Sequence, residues 1–348
     1  MGKSKIDYVA VVDVGNSEIK AKNYTREIYY RHAIYQLTEN EYNQILSRSP
    51  KGHPDVYRVN GIPYAVGELA EGKGFRDRMY GSERYNELYY GTLLAIALFR
   101  LYEKSVNNII VFASHPPKDV IYRQQIENSA KHKWIVEGQG ESRTLSVGSV
   151  YKFDEPVGGV MNLIINKGGK TYKRSELKEG STLVLDVGGY TIDAVALDDG
   201  QVDYTSAVSV PDSGIIQVEK RFINEFRSNN PVLLQSANKF SEKRVRQALT
   251  TGIFNLGGLG EKNCEEEAKV ATSGILRTLR DLYSQFGGVT GNDQIVLTGG
   301  GCGLLYPRIQ NMFMHPRLFL ADDPEDLRFA NVRGGMRMME VYDSQGVL

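Results

Sequence analysis

The chain alternates between short apolar runs and amphipathic segments from its first residues to its last. Runs rich in β-branched residues, typical of buried strands, occur at 8–12, 109–113, 182–185 and 294–298. Apolar residues at helical spacing occur at 86–104, 156–167, 214–227, 240–252, 262–286 and 304–314. Because strands and helices alternate throughout, the pattern predicts an α/β architecture.

Two of the predicted strands run directly into similar glycine turns. The first turn has the sequence Asp-Val-Gly-Asn-Ser at 13–17, and an alternating strand follows at 18–22. The second has Asp-Val-Gly-Gly-Tyr-Thr at 186–191, followed by a strand at 192–197. The two hairpins lie about half a chain apart, which predicts two related halves. No low-complexity linker separates them, so we expect the halves to pack against each other over a cleft.

Composition narrows the classes of function. Lys and Arg together number 42, as do Asp and Glu, so the formal net charge is zero and charge-driven binding to bare nucleic acid is disfavoured. Two cysteines cannot build a disulfide scaffold or a structural zinc site. The start lacks a long apolar region with a cleavage site, and no apolar run is long enough to span a membrane. We therefore expect a cytoplasmic protein without a membrane partner.

The glycine turns suit phosphate binding, because glycine lets backbone N–H groups approach phosphate oxygens closely. An aspartate beside a phosphate would repel it, but its presence makes sense if Mg²⁺ lies between the two groups. One Asp-x-Gly turn is most often an ordinary hairpin turn. Two of them, together with a Gly-Gly-Gly turn at 299–301 after a third strand, are far more specific to phosphate chemistry.

With these three turns the chain resembles the superfamily of actin, Hsp70 and the sugar kinases. Residues 13–17 resemble its first phosphate loop, 186–191 its second, and 295–301 its adenosine loop. The resemblance implies a duplicated, ribonuclease H-like ATPase fold of two lobes with a nucleotide cleft between them. Lobe I would span 1–180, lobe II 181–330, and a C-terminal segment at 331–348 would return to lobe I.

The resemblance also assigns roles to residues of the turns. Asp13 and Asp186 would order Mg²⁺ and its waters, so they would be both catalytic residues and metal ligands through water. The residues implied to contact ATP from the two phosphate loops are Gly15, Asn16, Ser17, Lys20, Gly188, Gly189, Tyr190 and Thr191. The adenosine would pack on Gly299, Gly300 and Gly301.

Narrower features are similar to the plasmid-segregating bacterial actins of the ParM/StbA family. The opening pattern Asp13-x-Gly15-Asn16-x-x-x-Lys20 suits that family better than it suits Hsp70 or actin. Further resemblances lie at 64–67, 115–123, 317–319 and 331–336, so they cover nearly the whole chain.

In this family a carboxylate near the start of the helix before the second hairpin positions the attacking water. Glu155 occupies that place, and its neighbour Asp154 is the alternative, since Gly158 and Gly159 leave the register open by one residue. Phosphoryl transfer needs chiefly positioning and charge stabilisation, so one carboxylate suffices. The alternative is that Glu155 or Asp154 has no catalytic role and is an acidic residue of an exposed first helical turn, where acids are common.

Other candidates for contact with the nucleotide have equally good structural explanations. Lys239, Glu242 and Lys243 could contact the base and ribose or belong to a solvated helix face. Gly214 could approach the sugar–phosphate or take part in a helix cap. Cys302 is interpreted as a small core residue.

The resemblance implies an ATPase that polymerises into filaments and segregates plasmid DNA through a DNA-binding adaptor, without contacting DNA itself. Its partners would be copies of itself and that adaptor. A chaperone-type ATPase, a small-molecule kinase, and a filament serving a phage or cell shape remain alternatives, as does GTP in place of ATP.

Overall fold

The computed structural model describes residues 8–49, 51–72, 85–169, 173–231 and 240–348. Its strands are β1 (Val9–Val14), β2 (Glu18–Lys22), β3 (Glu27–Arg31), β4 (Ile34–Gln36), β5 (Val56–Val59), β6 (Ile62–Val66), β7 (Val106–His115), β8 (Lys133–Gly138), β9 (Glu141–Asp154), β10 (Ser181–Val187), β11 (Ile192–Asp198), β12 (Gln201–Val210), β13 (Ile253–Asn255), β14 (Glu261–Asn263), β15 (Gln294–Thr298) and β16 (Leu318–Leu320).

Its helices are α1 (Glu39–Ser47), α2 (Gly67–Gly72), α3 (Glu87–Leu101), α4 (Arg123–Ala130), α5 (Glu155–Ile164), α6 (Ile215–Asn229), α7 (Glu242–Thr251), α8 (Glu265–Gln285), α9 (Gly288–Gly291), α10 (Gly300–Phe313) and α11 (Ala330–Gln345). Short 3-10 segments lie at Pro117–Tyr122, Ser175–Lys178, Gly257–Leu259 and Leu327–Phe329. The α/β class predicted from the sequence is confirmed.

The chain divides into two compact units. Unit 1 comprises Met1–Lys173 and Asn331–Leu348, and unit 2 comprises Arg174–Ala330. The sequence predicted a division between residues 180 and 181; the compact units divide between Lys173 and Arg174.

The zero net charge of the chain conceals an uneven distribution between the units. Unit 1 contains 26 Lys and Arg against 21 Asp and Glu, a formal charge of +5. Unit 2 contains 16 against 21, a formal charge of −5.

Unit 1 is built on a mixed sheet. In the described part of this unit nine strands follow the order β3-β2-β1-β7-β9-β8-β5-β6-β4. The pairs β3–β2 and β2–β1 are antiparallel, whereas β1–β7 and β7–β9 are parallel. Helix α3 is apolar over most of its surface, and its buried residues join those of β1 and β5 in one core cluster. Such burial on all sides is what a helix without a polar face requires.

Unit 2 repeats the central topology of unit 1 in its own sheet. The five described strands of this sheet follow the order β12-β11-β10-β15-β16, while β13 and β14 pair separately. Again the first two pairs are antiparallel and the next two are parallel. The strand sequence β12-β11-β10-β15-β16 therefore matches β3-β2-β1-β7-β9 in order and direction. The prediction of two related halves, each opening on an Asp-x-Gly hairpin, agrees with this repeated topology.

The helical layer of unit 2 is held by aromatic side chains. The amphipathic helix α6 buries Phe222 and Phe226, and the ring of Phe226 lies 4.7 Å from that of Phe254 on β13. Cys302 is fully buried on α10, as a core residue should be, and burial raises the pKa of its thiol.

Most predicted elements correspond to observed ones. None of β3–β6, β8, β9, β12–β14 and β16 was predicted from the sequence. In β5 and β9 the apolar pattern is interrupted by the charged side chains of Arg58 and Arg143. Within the described ranges no helix is both long enough and apolar enough to cross a bilayer.

Candidate functional site

The first Asp-x-Gly turn joins β1 to β2 and is supported by His32. In the β1–β2 ladder Asp13 lies opposite Lys20, and the turn closes at 15–17. A Cβ atom on Gly15 would lie 3.0 Å from the carbonyl oxygen of Glu18, so the turn favours glycine. The backbone N–H of His32 donates to Ser17 O at 2.9 Å, and its ring Nδ1 lies 2.6 Å from Gly15 O. Because a carbonyl only accepts, Nδ1 carries the proton.

The carboxylate of Asp13 is buried at the end of β1 and held by two side chains. Lys20 Nζ donates to Oδ2 at 2.9 Å, and Ser114 Oγ donates to Oδ1 at 3.2 Å. Ser114 follows Ala113, which pairs with Val12 on the neighbouring parallel strand. The structure thus brings predicted residues Asp13 and Lys20 together, and it adds Ser114, which the sequence did not single out.

Glu155 is the first residue of α5, which begins where β9 ends. The preceding residue, Asp154, is buried, and its carboxylate accepts from Arg123 Nη2 at 3.3–3.4 Å. His115 Nδ1 lies 3.5 Å from Asp154 Oδ1. The carboxylate of Asp154 is therefore engaged by neighbouring side chains of unit 1. Glu155 is half-buried in the first turn of α5.

The glycines that made the register of α5 uncertain have a packing role. A Cβ on Gly158 would lie 2.6 Å from the carbonyl oxygen of Asn331, and a Cβ on Gly334 would overlap the carbonyl oxygen of Gly158. Asn331 Oδ1 also accepts from the backbone N–H of Gly159 at 3.0 Å. Helices α5 and α11 thus cross so closely that only glycine fits at the crossing.

The second Asp-x-Gly turn joins β10 to β11. Asp186 lies opposite Asp193 in the ladder, and both side chains are buried. Thr191 Oγ1 donates to Asp193 Oδ2 at 2.7 Å, and the N–H of Gly188 donates to Thr191 O at 3.0 Å. The cross-strand position that Lys20 fills in the first hairpin is therefore occupied by a second acid.

Gly214 lies directly against this second turn. The N–H groups of Ser213 and Gly214 donate to Tyr190 O at 3.0 and 3.1 Å, and the first N–H groups of α6 donate to the carbonyls of Gly188 and Gly189. A Cβ on Gly214 would lie 2.5 Å from the carbonyl group of Gly189. The backbone N–H of Gly214 is thus committed to the hairpin, and the buried side chain of Tyr190 anchors the turn.

The third glycine turn lies beside Asp186, because β15 pairs in parallel with β10 and places Thr298 opposite Asp186. Gly299 has a φ of +83°, and a Cβ there would overlap Asp186 Oδ1. A Cβ on Gly301 would overlap Val187 Cγ1, whereas Gly300 is exposed. Helix α10 begins at Gly300, so its N-terminus follows the strand without a loop.

Two of the remaining candidates, Glu242 and Lys243, lie at the start of α7. Glu242 pairs with Arg246 one turn on, at 2.7 Å, and Arg246 Nε also donates to Glu219 of α6 at 2.6 Å. Lys243 is exposed. Lys239 lies outside the described residues.

The donor chemistry fits a magnesium ion held through water better than one bound directly. Both oxygens of Asp13 accept from side chains, so direct coordination would compete with Lys20. In the described part of the chain no cluster of three His, Cys, Asp or Glu is arranged to hold a metal. Mg²⁺ commonly binds one or two carboxylates together with phosphates and retained waters, which is compatible with single aspartates beside glycine turns.

Comparison with known proteins supports this interpretation of the fold. Residues 11–158 match the family model described as "Actin like proteins N terminal domain". A search of curated protein sequences finds no match.

Three solved structures illustrate the similarity of fold. The archaeal actin homologue Ta0583 in complex with ADP is 17% identical, with a TM-score of 0.69 over 96% of this chain and 99% of that one. A 15-stranded ParM filament from Clostridium botulinum is 18% identical, with a TM-score of 0.69 over 97% and 99%. Bacillus thuringiensis ParM with ATP is 14% identical, with a TM-score of 0.70 over 97% and 98%. Residues 11–158 thus match an actin-like N-terminal domain, and the predicted resemblance of the chain to actin-like proteins, ParM included, is confirmed at the level of the fold.

Proposed function

We propose that this chain binds and hydrolyses ATP and assembles with copies of itself into filaments. The observation that carries the proposal is the repeated Asp-x-Gly hairpin, which occupies the same position in the five-strand arrangement that the two sheets share. Glycine turns at the ends of buried strands suit the phosphates of a nucleotide. The ADP complex of Ta0583, the ParM with ATP and the ParM filament support the proposal by analogy of fold.

Each hairpin supplies backbone and side-chain groups to the phosphates. In unit 1 these groups come from Gly15, Asn16, Ser17 and Lys20, and in unit 2 from Gly188, Gly189 and Thr191. Asp13 and Asp186 would hold Mg²⁺ through water, and the ion would neutralise charge on the phosphates. The glycines at 299–301 accept the adenosine. Glu242, Lys243 and Lys239 are assigned to the base and ribose.

Glu155 positions the attacking water, and Asp154 does not. The support for this choice is that Arg123 and His115 engage the carboxylate of Asp154, which makes no capping hydrogen bond to α5. A carboxylate in that role orients the water and accepts its proton as the water oxygen bonds to the γ-phosphorus and the bond to the bridging oxygen of the leaving ADP breaks.

We further propose that the filament segregates plasmid DNA in the cytoplasm through a basic adaptor protein. This proposal rests on the sequence resemblance to the ParM/StbA family. A chain with equal numbers of acidic and basic residues gains little from counterion release on bare DNA, so the adaptor supplies the attachment.

The proposal is tested by measuring light scattering, pelleting and phosphate release together, with ATP, ADP, GTP or no nucleotide. The wild-type protein should assemble with ATP and then release phosphate. Glu155→Ala should assemble but release phosphate about 10²–10⁴-fold more slowly, because only the general base is lost.

A variant of the neighbouring acid tests whether the two carboxylates are assigned correctly. If Asp154→Asn abolishes release and Glu155→Ala does not, the two roles are exchanged. Unassembled protein that transfers phosphate from ATP to a small molecule would instead indicate a kinase. Absence of both assembly and turnover would contradict the proposed function.

A further inference from the structure

We propose that Arg123 and His115 are positioning residues for Glu155, acting through Asp154. The inference rests on the proposed role of Glu155 in hydrolysis. The feature that suggests it is a network of three side chains, two of them buried, at the carboxyl ends of β7 and β9, next to the first turn of α5.

Strand pairing places the network. His115 and Asp154 are the last paired residues of the parallel strands β7 and β9, so they lie side by side. His115 is fully buried, and the side chain of Asp154 is 7% exposed. Arg123, the first residue of α4, reaches both of them with a side chain that is 35% exposed.

The hydrogen-bond chemistry fixes the protonation of the histidine ring. Arg123 Nε lies 2.7 Å from His115 Nε2 and can only donate, so Nε2 is an acceptor. The ring proton therefore resides on Nδ1, which faces Pro116 O at 2.9 Å and Asp154 Oδ1 at 3.5 Å. Arg123 Nη2 completes the network at the Asp154 carboxylate. Each side chain of the network thus restricts the orientation of the other two.

Asp154 transmits this restraint to the helix. It is the N-cap residue of α5, but its side chain makes no capping hydrogen bond to the helix. An N-cap aspartate ordinarily accepts from a backbone N–H of the first turn. Here the carboxylate points to Arg123 and His115, so the start of α5 is tied to the ends of two strands.

The other side of α5 is fixed by the glycine crossing with α11. Gly158 lies against Asn331, and Gly334 lies against Gly158. Glu155 therefore projects from a helical turn held at both ends, with Pro156 restricting the backbone between them. A displacement of about 1 Å at such a position can cost about 100-fold in rate.

The decisive experiment compares Arg123→Gln in two backgrounds, wild type and Glu155→Gln, by steady-state ATP turnover and ATP binding. In the wild-type background we expect kcat to fall by about 10- to 100-fold and KM for ATP to stay within about 2-fold. In the Glu155→Gln background Arg123→Gln should cause no further fall, because the residue it positions is already lost.

Two further variants separate positioning from folding. Arg123→Lys keeps the positive charge but cannot reach both His115 and Asp154 through a planar fork, so its kcat should lie between those of wild type and Arg123→Gln. Arg58→Gln, which removes another arginine–carboxylate pair of unit 1, to Glu39, should leave kcat unchanged.

Equal losses of kcat in both backgrounds would overturn the inference, because Arg123 would then act independently of Glu155. Unchanged kcat in Arg123→Gln, or a loss confined to KM, would overturn it as well while leaving the proposed function in place. Absence of turnover in the wild-type protein would overturn the proposed function and this inference together.

Discussion

The two Asp-x-Gly hairpins share a backbone arrangement but differ in the residue across the ladder from each aspartate. In unit 1 the β1–β2 pair places Lys20 opposite Asp13, and the two side chains form an ion pair at 2.9 Å. In unit 2 the β10–β11 pair places Asp193 opposite Asp186. Opposite charges facing each other across antiparallel strands stabilise a hairpin, and like charges destabilise it.

The groups that hold the two turns in place also differ. The first turn is held by one side chain, since His32 contacts the carbonyls of Gly15 and Ser17 through its ring and its backbone N–H. The second turn is held by backbone hydrogen bonds from Ser213, Gly214 and the start of α6, where Gly214 allows the close approach. Sheet topology therefore determines the position of each aspartate at the end of its strand. Cross-strand and supporting residues determine the charge around it.

The variants with the largest expected effect test whether the two aspartates are equivalent in function. Asp13→Ala and Asp186→Ala should each lower ATP turnover by about 10²–10³-fold, the usual scale for losing one preorganised electrostatic contact. Asp198→Ala, an exposed residue on β11, serves as the control and should leave turnover unchanged. Wild-type turnover in either aspartate variant would remove that hairpin from the proposed site.

The ion pair of the first hairpin should contribute measurably to the free energy of unfolding. Lys20→Met keeps the apolar stem but leaves the buried Asp13 carboxylate without its ammonium partner, so we expect a loss of about 2–3 kcal/mol in the free energy of unfolding. Urea unfolding without nucleotide measures it. A loss below about 0.5 kcal/mol would mean that Ser114 alone satisfies Asp13.

The third strand of unit 1 carries a pH-dependent contact of its own. Burial raises the pKa of Glu27, but its hydrogen bonds to Arg333 and Lys22 outweigh burial and lower the pKa to about 2. The resulting stabilisation, roughly 2 kcal/mol, is present above the ordinary pKa of about 4.5 and lost as pH falls toward 2.

Arg333→Gln provides the test for this contact. Urea unfolding between pH 5 and 2 should show a weaker pH dependence in the variant than in wild type. Parallel pH profiles for the two proteins would exclude Glu27 as a source of the acid sensitivity.

The smallest expected effect has the opposite sign and lies in the second hairpin. Asp193→Asn removes one of two facing charges and keeps an oxygen that accepts from Thr191, so it should stabilise unit 2 by about 0.5–1 kcal/mol. Thermal unfolding without nucleotide would detect the gain. A destabilised variant would show that neighbouring groups compensate the repulsion between Asp186 and Asp193.

The sequence was sufficient to predict features that depend on neighbouring residues. The strands leading to Asp13 and Asp186, the glycine turns and the strand before Gly299 are local patterns, and each was predicted from its own segment. The boundaries of the predicted helices differ by a few residues because caps and crossing partners decide them. Helix α10, for example, begins at Gly300 rather than near 304 because the positive φ of Gly299 lets it follow β15 directly.

The side-chain networks could not be predicted, because they join residues distant in sequence. Ser114 reaches Asp13 across 101 positions, and Arg123 reaches Asp154 across 31. Only the pairing of β1 with β7, and of β7 with β9, brings them together. The glycines at 158 and 334 likewise have no local signal, since their requirement arises from a crossing of two helices.

The opposite charges of the two units have a consequence for copies of the molecule at a distance. With +5 on unit 1 and −5 on unit 2, neutral pH provides no overall repulsion between copies, while unlike units attract. Added salt weakens that attraction, because the Debye length shortens from about 30 Å at 0.01 M to about 10 Å at 0.1 M. The osmotic second virial coefficient of the protein should therefore be most negative in dilute salt and rise as salt is added, before any nucleotide is present.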